Sequence, residues 1–260
     1  MNNDQTKLPM KFIYIIIACL FSVTNIKAQN AIFLSQGRIE FEKKISLWAI
    51  MDEQAAGENN DSWAALEKKI TPRFKTTYFD LEFNNGKTLY KPGRDNLENN
   101  RIRFDLPAED NIVYTNLKDS LSVAQKHVYE QTFLVNDSTR KIKWKITDET
   151  RNIAGFDCRR ANAIIMDSIY VVAYYTDQII STGGPESING LPGMILGLAL
   201  PHEHITWFAT KVYADDINDA QLIAPTKGKK TNSKELLNTL KDFMKDWGAW
   251  SKPYEREIML

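Results

Sequence analysis

Apolar and polar residues alternate over most of this chain. In Lys141–Ile146 the residues Ile142, Trp144 and Ile146 interleave with three lysines, the period of two shown by a strand with one buried face. The same pattern predicts strands over Gly37–Trp48, Thr77–Phe83, Thr88–Tyr90, Ile112–Thr115, Val128–Val135, Arg159–Ile165, Ile169–Tyr175, Met194–Leu200 and Ile205–Tyr213. Two turn signals pair neighbours into hairpins. Asn84-Asn85-Gly86 suits a tight turn with positive φ. Asn136-Asp137-Ser138-Thr139 reads as the turn joining Val128–Val135 to Lys141–Ile146.

Two segments follow helical spacing instead. Asp61–Ile70 carries Trp63, Leu66 and Ile70 on one side, with Asp61 as N-cap. Ser233–Trp247 sets Leu236, Leu240, Phe243 and Trp247 in one stripe, widened by Leu237 and Met244, and Gly248 follows as a stop. Gly93–Arg101 and Ala214–Asn232 read as polar loops, and no internal repeat or linker divides the chain. The expected fold is α+β and mainly β. It is a large curved antiparallel sheet, a half-barrel like that of lipoprotein carriers, with one or two covering helices.

The first 28 residues have the order of a secretory leader: Lys7 and Lys11, then an apolar run from Phe12 to Val23, then Ala28 before Gln29. Cleavage between Ala28 and Gln29 is expected, leaving residues 29–260 as one β-rich domain. Ile16-Ile17-Ala18-Cys19 has the residue types of a lipid-attachment site, the minor alternative. The remaining chain holds 30 basic and 32 acidic residues, which excludes the strong positive field that nucleic-acid binding needs. No later stretch is long and apolar enough to cross a bilayer. Cys158 is the single cysteine left, so stability comes from the core rather than from an internal disulfide.

The segment Gly183-Gly184-Pro185 and the run Asn189-Gly190-Leu191-Pro192-Gly193-Met194-Ile195-Leu196 form stiff bends feeding an apolar strand. Upstream stand Gly155-Phe156-Asp157-Cys158 and Ala173-Tyr174-Tyr175. This order, over roughly Lys141–Tyr213, resembles the GLPGLI family, with Met194 where the family name has Leu. The motif residues are Gly184, Pro185, Gly190, Leu191, Pro192, Gly193, Met194 and Ile195. The resemblance implies an exported protein of the Gram-negative envelope with no established activity and no cofactor.

Candidate chemistry is sparse. His202 and His204 in Pro201-His202-Glu203-His204 are the weak metal candidates. Zinc takes three or four protein ligands, and His127 is the only other histidine, so a solvated turn is the simpler reading. Cys158 reads as a small buried apolar group rather than a nucleophile. Ser187 lacks a nucleophile elbow, and Asp148-Glu149 and Asp215-Asp216 sit in polar stretches. The Gly-Leu-Pro-Gly bend reads as architecture, or as a source of backbone groups at a pocket mouth. The function expected from these residues is non-enzymatic: binding of a lipid, an acyl chain or an envelope partner on the curved sheet, under the C-terminal helix. An adaptor for an outer-membrane transport system is the second expectation, and a metal-dependent hydrolase using His202 and His204 the third.

Overall fold

Twelve strands build one open, curved sheet in the computed structural model, which describes residues 33–58, 61–102, 106–248 and 251–260. The leader, the Ala28–Gln29 cut and Cys19 lie outside the described residues. The strands are β1 (Gln36–Ser46), β2 (Phe74–Asn84), β3 (Lys87–Pro92), β4 (Ile112–Asn116), β5 (Leu121–Val128), β6 (Gln131–Ser138), β7 (Lys145–Ile153), β8 (Phe156–Ile165), β9 (Ile169–Thr176), β10 (Met194–Leu200), β11 (Ile205–Tyr213) and β12 (Lys229–Thr231). Among the described residues four helices accompany them: α1 (Leu47–Glu58), α2 (Asp61–Glu67), α3 (Ser233–Phe243) and α4 (Ser251–Met259). No helix among the described residues is long and apolar enough to cross a membrane.

The order across the sheet is β12-β6-β5-β4-β3-β2-β1-β11-β10-β9-β8-β7. All neighbours are antiparallel except β12, which runs parallel to β6. Two meanders thus flank β1, and the consecutive strands β6 and β7 stand near opposite edges. Ten inter-strand spacings separate them, about 48 Å along the sheet surface. The six residues Thr139–Trp144 between them reach at most about 25 Å. The sheet must therefore curl until its edges approach each other.

Alternation decides which residues enter the core. On β1, Ile39, Phe41, Lys43 and Ile45 are buried on one face, here called inner, and β2 adds Lys75, Phe79, Leu81 and Phe83 in the same phase. Leu236, Leu240 and Met244 from the α3 segment and Ile258 from α4 pack onto this core. A smaller cluster on the outer face holds Leu89, Tyr114, Val123 and Leu134 under Ile217 and Leu222. The polar stretch Ala214–Asn232 is therefore a cover for the outer face rather than a free loop.

Three expectations need correction. The strand expected to reach Trp48 ends at Ser46, because Leu47, Met51 and Ala55 recur at intervals of four and bury one side of α1. The hairpin turn lies at Tyr129-Glu130, where Tyr129 takes φ 53°, while Asn136–Ser138 pair with Leu121–Val123. Lys141–Trp144 alternates as read but joins no strand. Its half-buried Ile142 and Trp144 pack onto the core as the strap between edges, and Trp144 Nε1 donates to the Asn189 carbonyl at 2.9 Å.

The Gly-Leu-Pro-Gly bend lies against the end of β9. At Gly193 φ is +154°, and a Cβ there would stand 2.1 Å from the Thr176 carbonyl oxygen. Gly155 is also left-handed, at φ +89°, but has open space around it. We expect Gly193→Ala to destabilise the fold by about 3 kcal/mol or more. Gly155→Ala should cost only about 1–2 kcal/mol. Urea unfolding of the two variants checks this, and equal losses would contradict the packing described for the bend.

Candidate functional site

A cleft of about 800 Å³ opens between α1, α2, Leu106–Pro107, the Pro201–Ile205 turn and the junction of α3 with α4. Its walls are pinned where β1 gives way to α1. Ser46 N–H donates to the His204 carbonyl, and Leu47 N–H donates to the Arg73 carbonyl, both at 3.0 Å. Trp48 Nε1 donates to the Thr71 carbonyl at 3.1 Å, fixing α1 against the following segment.

Rings and carboxylates line this cleft. Trp63 comes from α2, and Trp247 and Tyr254 come from the α3–α4 junction. The Trp247 and Tyr254 rings meet edge to face at 5.9 Å. Trp247 also touches Tyr129 at 5.5 Å and Phe243 at 5.7 Å. Tyr129 and Phe243 are about half exposed, so an aromatic ridge runs from the cleft to the surface. Glu203 is almost wholly buried, with Oε1 taking a hydrogen bond from Arg256 Nη1 at 3.1 Å and Oε2 lacking a partner. Glu257 Oε1 accepts from Lys43 Nζ at 2.9 Å, and Lys43 also donates to the Ala108 carbonyl at 3.0 Å. Burial raises the Glu257 carboxyl above its ordinary range, and Lys43 offsets part of that rise. Rings that stack on apolar faces, beside carboxylates that accept from hydroxyls, suit a polyhydroxylated ligand.

Further charges lie under the helices on the inner face. Lys126 is in phase with Ala124 and Val128 and donates to the Ile258 carbonyl at 2.7 Å. Burial lowers its pKa to about 8, with Glu186 opposing the shift. Glu186 accepts from Asn111 Nδ2 at 2.9 Å, and its second oxygen has no partner. Tyr90, stacked on Phe79 at 4.6 Å, takes a hydrogen bond from Trp207 Nε1 at 3.1 Å. A surface so charged is a poor bed for an acyl chain.

The residues singled out in the sequence are scattered. His202 and His204 belong to a short 3-10 turn, not a strand. Both line the cleft. His204 takes φ 56°, and its Nε2 meets Glu53 Oε1 at 2.8 Å. His127 stands elsewhere, with Nδ1 3.4 Å from Asp110. No metal-holding group of three or more His, Cys, Asp and Glu occurs among the described residues. Cys158 is fully buried, and burial pushes its thiol up to about 12. Asp215 pairs with Arg38, and Glu149 pairs with Arg160 on the surface. Ser187 accepts from Arg140 Nε at 2.9 Å and donates to the Leu260 carbonyl.

Sequence reasoning passed over Glu257, Tyr254, Lys126 and Arg140, and it placed Trp247 in a core stripe. Tyr254, Glu257 and Ile258 recur at helical intervals, the one local sign of α4.

Lys126 yields a pH prediction. Its folded pKa lies below the unfolded value, so its charged, buried form costs stability below about pH 8. The cost fades as pH rises toward the unfolded pKa of about 10.5. Relative to Lys126→Met, the native chain should gain about 3 kcal/mol between pH 7 and 11. Denaturant titrations at several pH values measure this, and a constant difference would contradict it.

Comparison with known proteins corrects the functional expectations. Residues 94–241 match the family described as the N-glycanase peptide, N-terminal domain. Two solved structures of PNGF-II, in space groups C2 and P21, are similar at 15% and 17% identity, each with a TM-score of 0.50. They cover 78% and 79% of this chain, which spans only 32% and 33% of theirs. At this identity the likeness shows the fold. No curated protein matches. The resemblance to the GLPGLI family is overturned by the family match, and the bend at Gly190–Gly193 is a local turn packed against the end of β9. The non-enzymatic carrier and the adaptor fall with it, since the matched domain belongs to an enzyme. With 148 of its 260 residues inside that match, this chain belongs to the family of the N-glycanase peptide, N-terminal domain.

Proposed function

We propose that this chain works on the N-linked glycans of glycoproteins, within an N-glycanase-type hydrolysis, and that the cleft beside Trp247 holds the glycan. The observation that carries this reading is the ridge Tyr129–Phe243–Trp247–Tyr254 leading into a cleft walled by Glu203, Arg256 and Trp63. The apolar faces of pyranose rings stack on Trp247 and Tyr254. Sugar hydroxyls donate to Glu53, and Arg256, held in place by the buried Glu203, supplies N–H donors. These contacts fix the sugar while the cleft walls exclude water. Hydrolysis is proposed for the whole enzyme, of whose PNGF-II relative this chain spans about a third. The family match supports that step.

An extracytoplasmic working place fits this substrate, because N-glycosylated proteins are met outside the cell. The leader-like order of residues 1–28 supports the same placement.

The experiment is a calorimetric titration with a chitobiose-bearing Asn-glycopeptide and the same peptide without sugar. The glycopeptide should bind and the bare peptide should not. Trp247→Ala should weaken binding about tenfold or more, and Glu203→Gln about fivefold, with circular dichroism unchanged. Equal binding of both peptides, or full affinity in both variants, would reject the reading.

A further inference from the structure

A second cleft, of about 970 Å³, lies along α4 toward β5, β6 and the strap. Seven lysine and arginine side chains line it against three acidic side chains. The full chain has a net charge of zero, so this excess is local. Lys126 is buried and Arg140 and Arg256 are half-buried, while Lys141, Lys234 and Lys252 are exposed and form the rim of the cleft.

The two innermost cations lack side-chain counter-ions. Lys126 is only 5% exposed, and its hydrogen-bond partner is the Ile258 carbonyl. Arg140 donates to Ser187 Oγ and to the main-chain oxygens of Met259 and Leu260. Neither makes an ion pair with an Asp or Glu side chain among the described residues. Asp137 also lines the cleft, but its carboxylate is taken up by the main-chain N–H groups of Ser138 and Ser233, at 2.9 and 3.1 Å. Glu186 acts on Lys126, and Asp137 and Glu186 act on Arg140, from beyond ion-pair distance. The Ile258 carbonyl dipole carries only partial charge, so Lys126, held out of water amid further cations, leaves a positive potential directed into the cleft. The Ser168 hydroxyl, which accepts from Arg256 Nη2 at 3.4 Å, lines the same space and can donate to an oxyanion.

We propose that this cleft binds the oxyanion of an acidic sugar, a sulfate ester or a sugar carboxylate, so that the domain prefers N-glycans with charged substituents. The inference rests on the N-glycan reading above and names the class of glycan selected. An oxyanion that enters this cleft meets Lys126 as a compact point charge, with the exposed lysines around it. A neutral branch would leave Lys126 without an ion-pair partner, which makes the preference physical rather than merely permissive.

The test uses three Asn-glycopeptides with the full chain: neutral chitobiose, the same with a 6-O-sulfate, and a sialylated oligosaccharide. At least one charged probe should bind about tenfold tighter than the neutral one, and rising salt should erode the gain. The identity of the tighter probe tells sulfate from carboxylate. Lys126→Met should bring the preference close to unity. The rim variant Lys234→Gln/Lys252→Gln, which leaves the core untouched, should reduce it several-fold even if Lys126→Met fails to fold. Neutral binding with no gain for either charged probe would overturn this inference and leave the N-glycan reading standing. Tight binding of free sulfated or sialylated sugars without any neutral glycopeptide binding would support the anion site and reject the neutral cleft. A charged preference that survives in every variant would overturn the assignment to this cleft.

Discussion

The short strap between β6 and β7 is the constraint on which the rest of this structure depends. Strands near opposite edges of a twelve-stranded sheet are joined by six residues, a reach about half of the flat distance between them. Curvature follows from connectivity, not from side-chain preference. A curled sheet leaves an inner face too wide for its own side chains to fill. The chain fills it with the Gly-Leu-Pro-Gly loop, with α3 and with the α4 segment.

The inner filling is charged as well as apolar. Glu257 on α4 meets Lys43 at the middle of β1, and Lys43 also stands 5.4 Å from the Trp207 ring. Such a pair adds little net stability against an apolar replacement, yet loss of one partner leaves a buried charge, at a cost of about 3–5 kcal/mol. Its effect is therefore positional: it sets where α4 lies. Once α4 is placed, the space on one side is the cleft of rings and carboxylates, and the space on the other is the basic cleft. Arg256 lines both and bonds Glu203 and Ser168, so a single helix turn couples the two walls.

Much of the sheet was legible because burial alternates strictly. The pattern at Ile39, Phe41 and Ile45, and the Asn85-Gly86 turn with φ values of 51° and 80°, point to the observed elements. Met194–Leu200 was placed correctly by its Gly-Pro boundary. The alternation of Lys141–Trp144 misled for a physical reason: an extended strap that packs one side shows the same period as a paired strand. Local pattern does not distinguish them, since partner strands are fixed by long-range order. The clefts were less legible. Glu203 was visible only as part of a histidine motif, and Glu257 and Lys126 become neighbours of their partners through contacts spanning more than a hundred residues. The motif residues Gly184, Pro185 and Gly190 shape the loop and lie outside both clefts' linings.

The account's central claim is that the glycan rests on the rings of the α3–α4 junction. Indole N–H resonances report this directly, because Trp63, Trp144, Trp207 and Trp247 stand in distinct settings. Adding a chitobiose-bearing glycopeptide should shift the indole signals of Trp63 and Trp247. Trp207, buried and bonded to Tyr90, and Trp144, bonded to Asn189, should stay in place. Unmoved Trp63 and Trp247 signals at saturating glycopeptide would contradict the account.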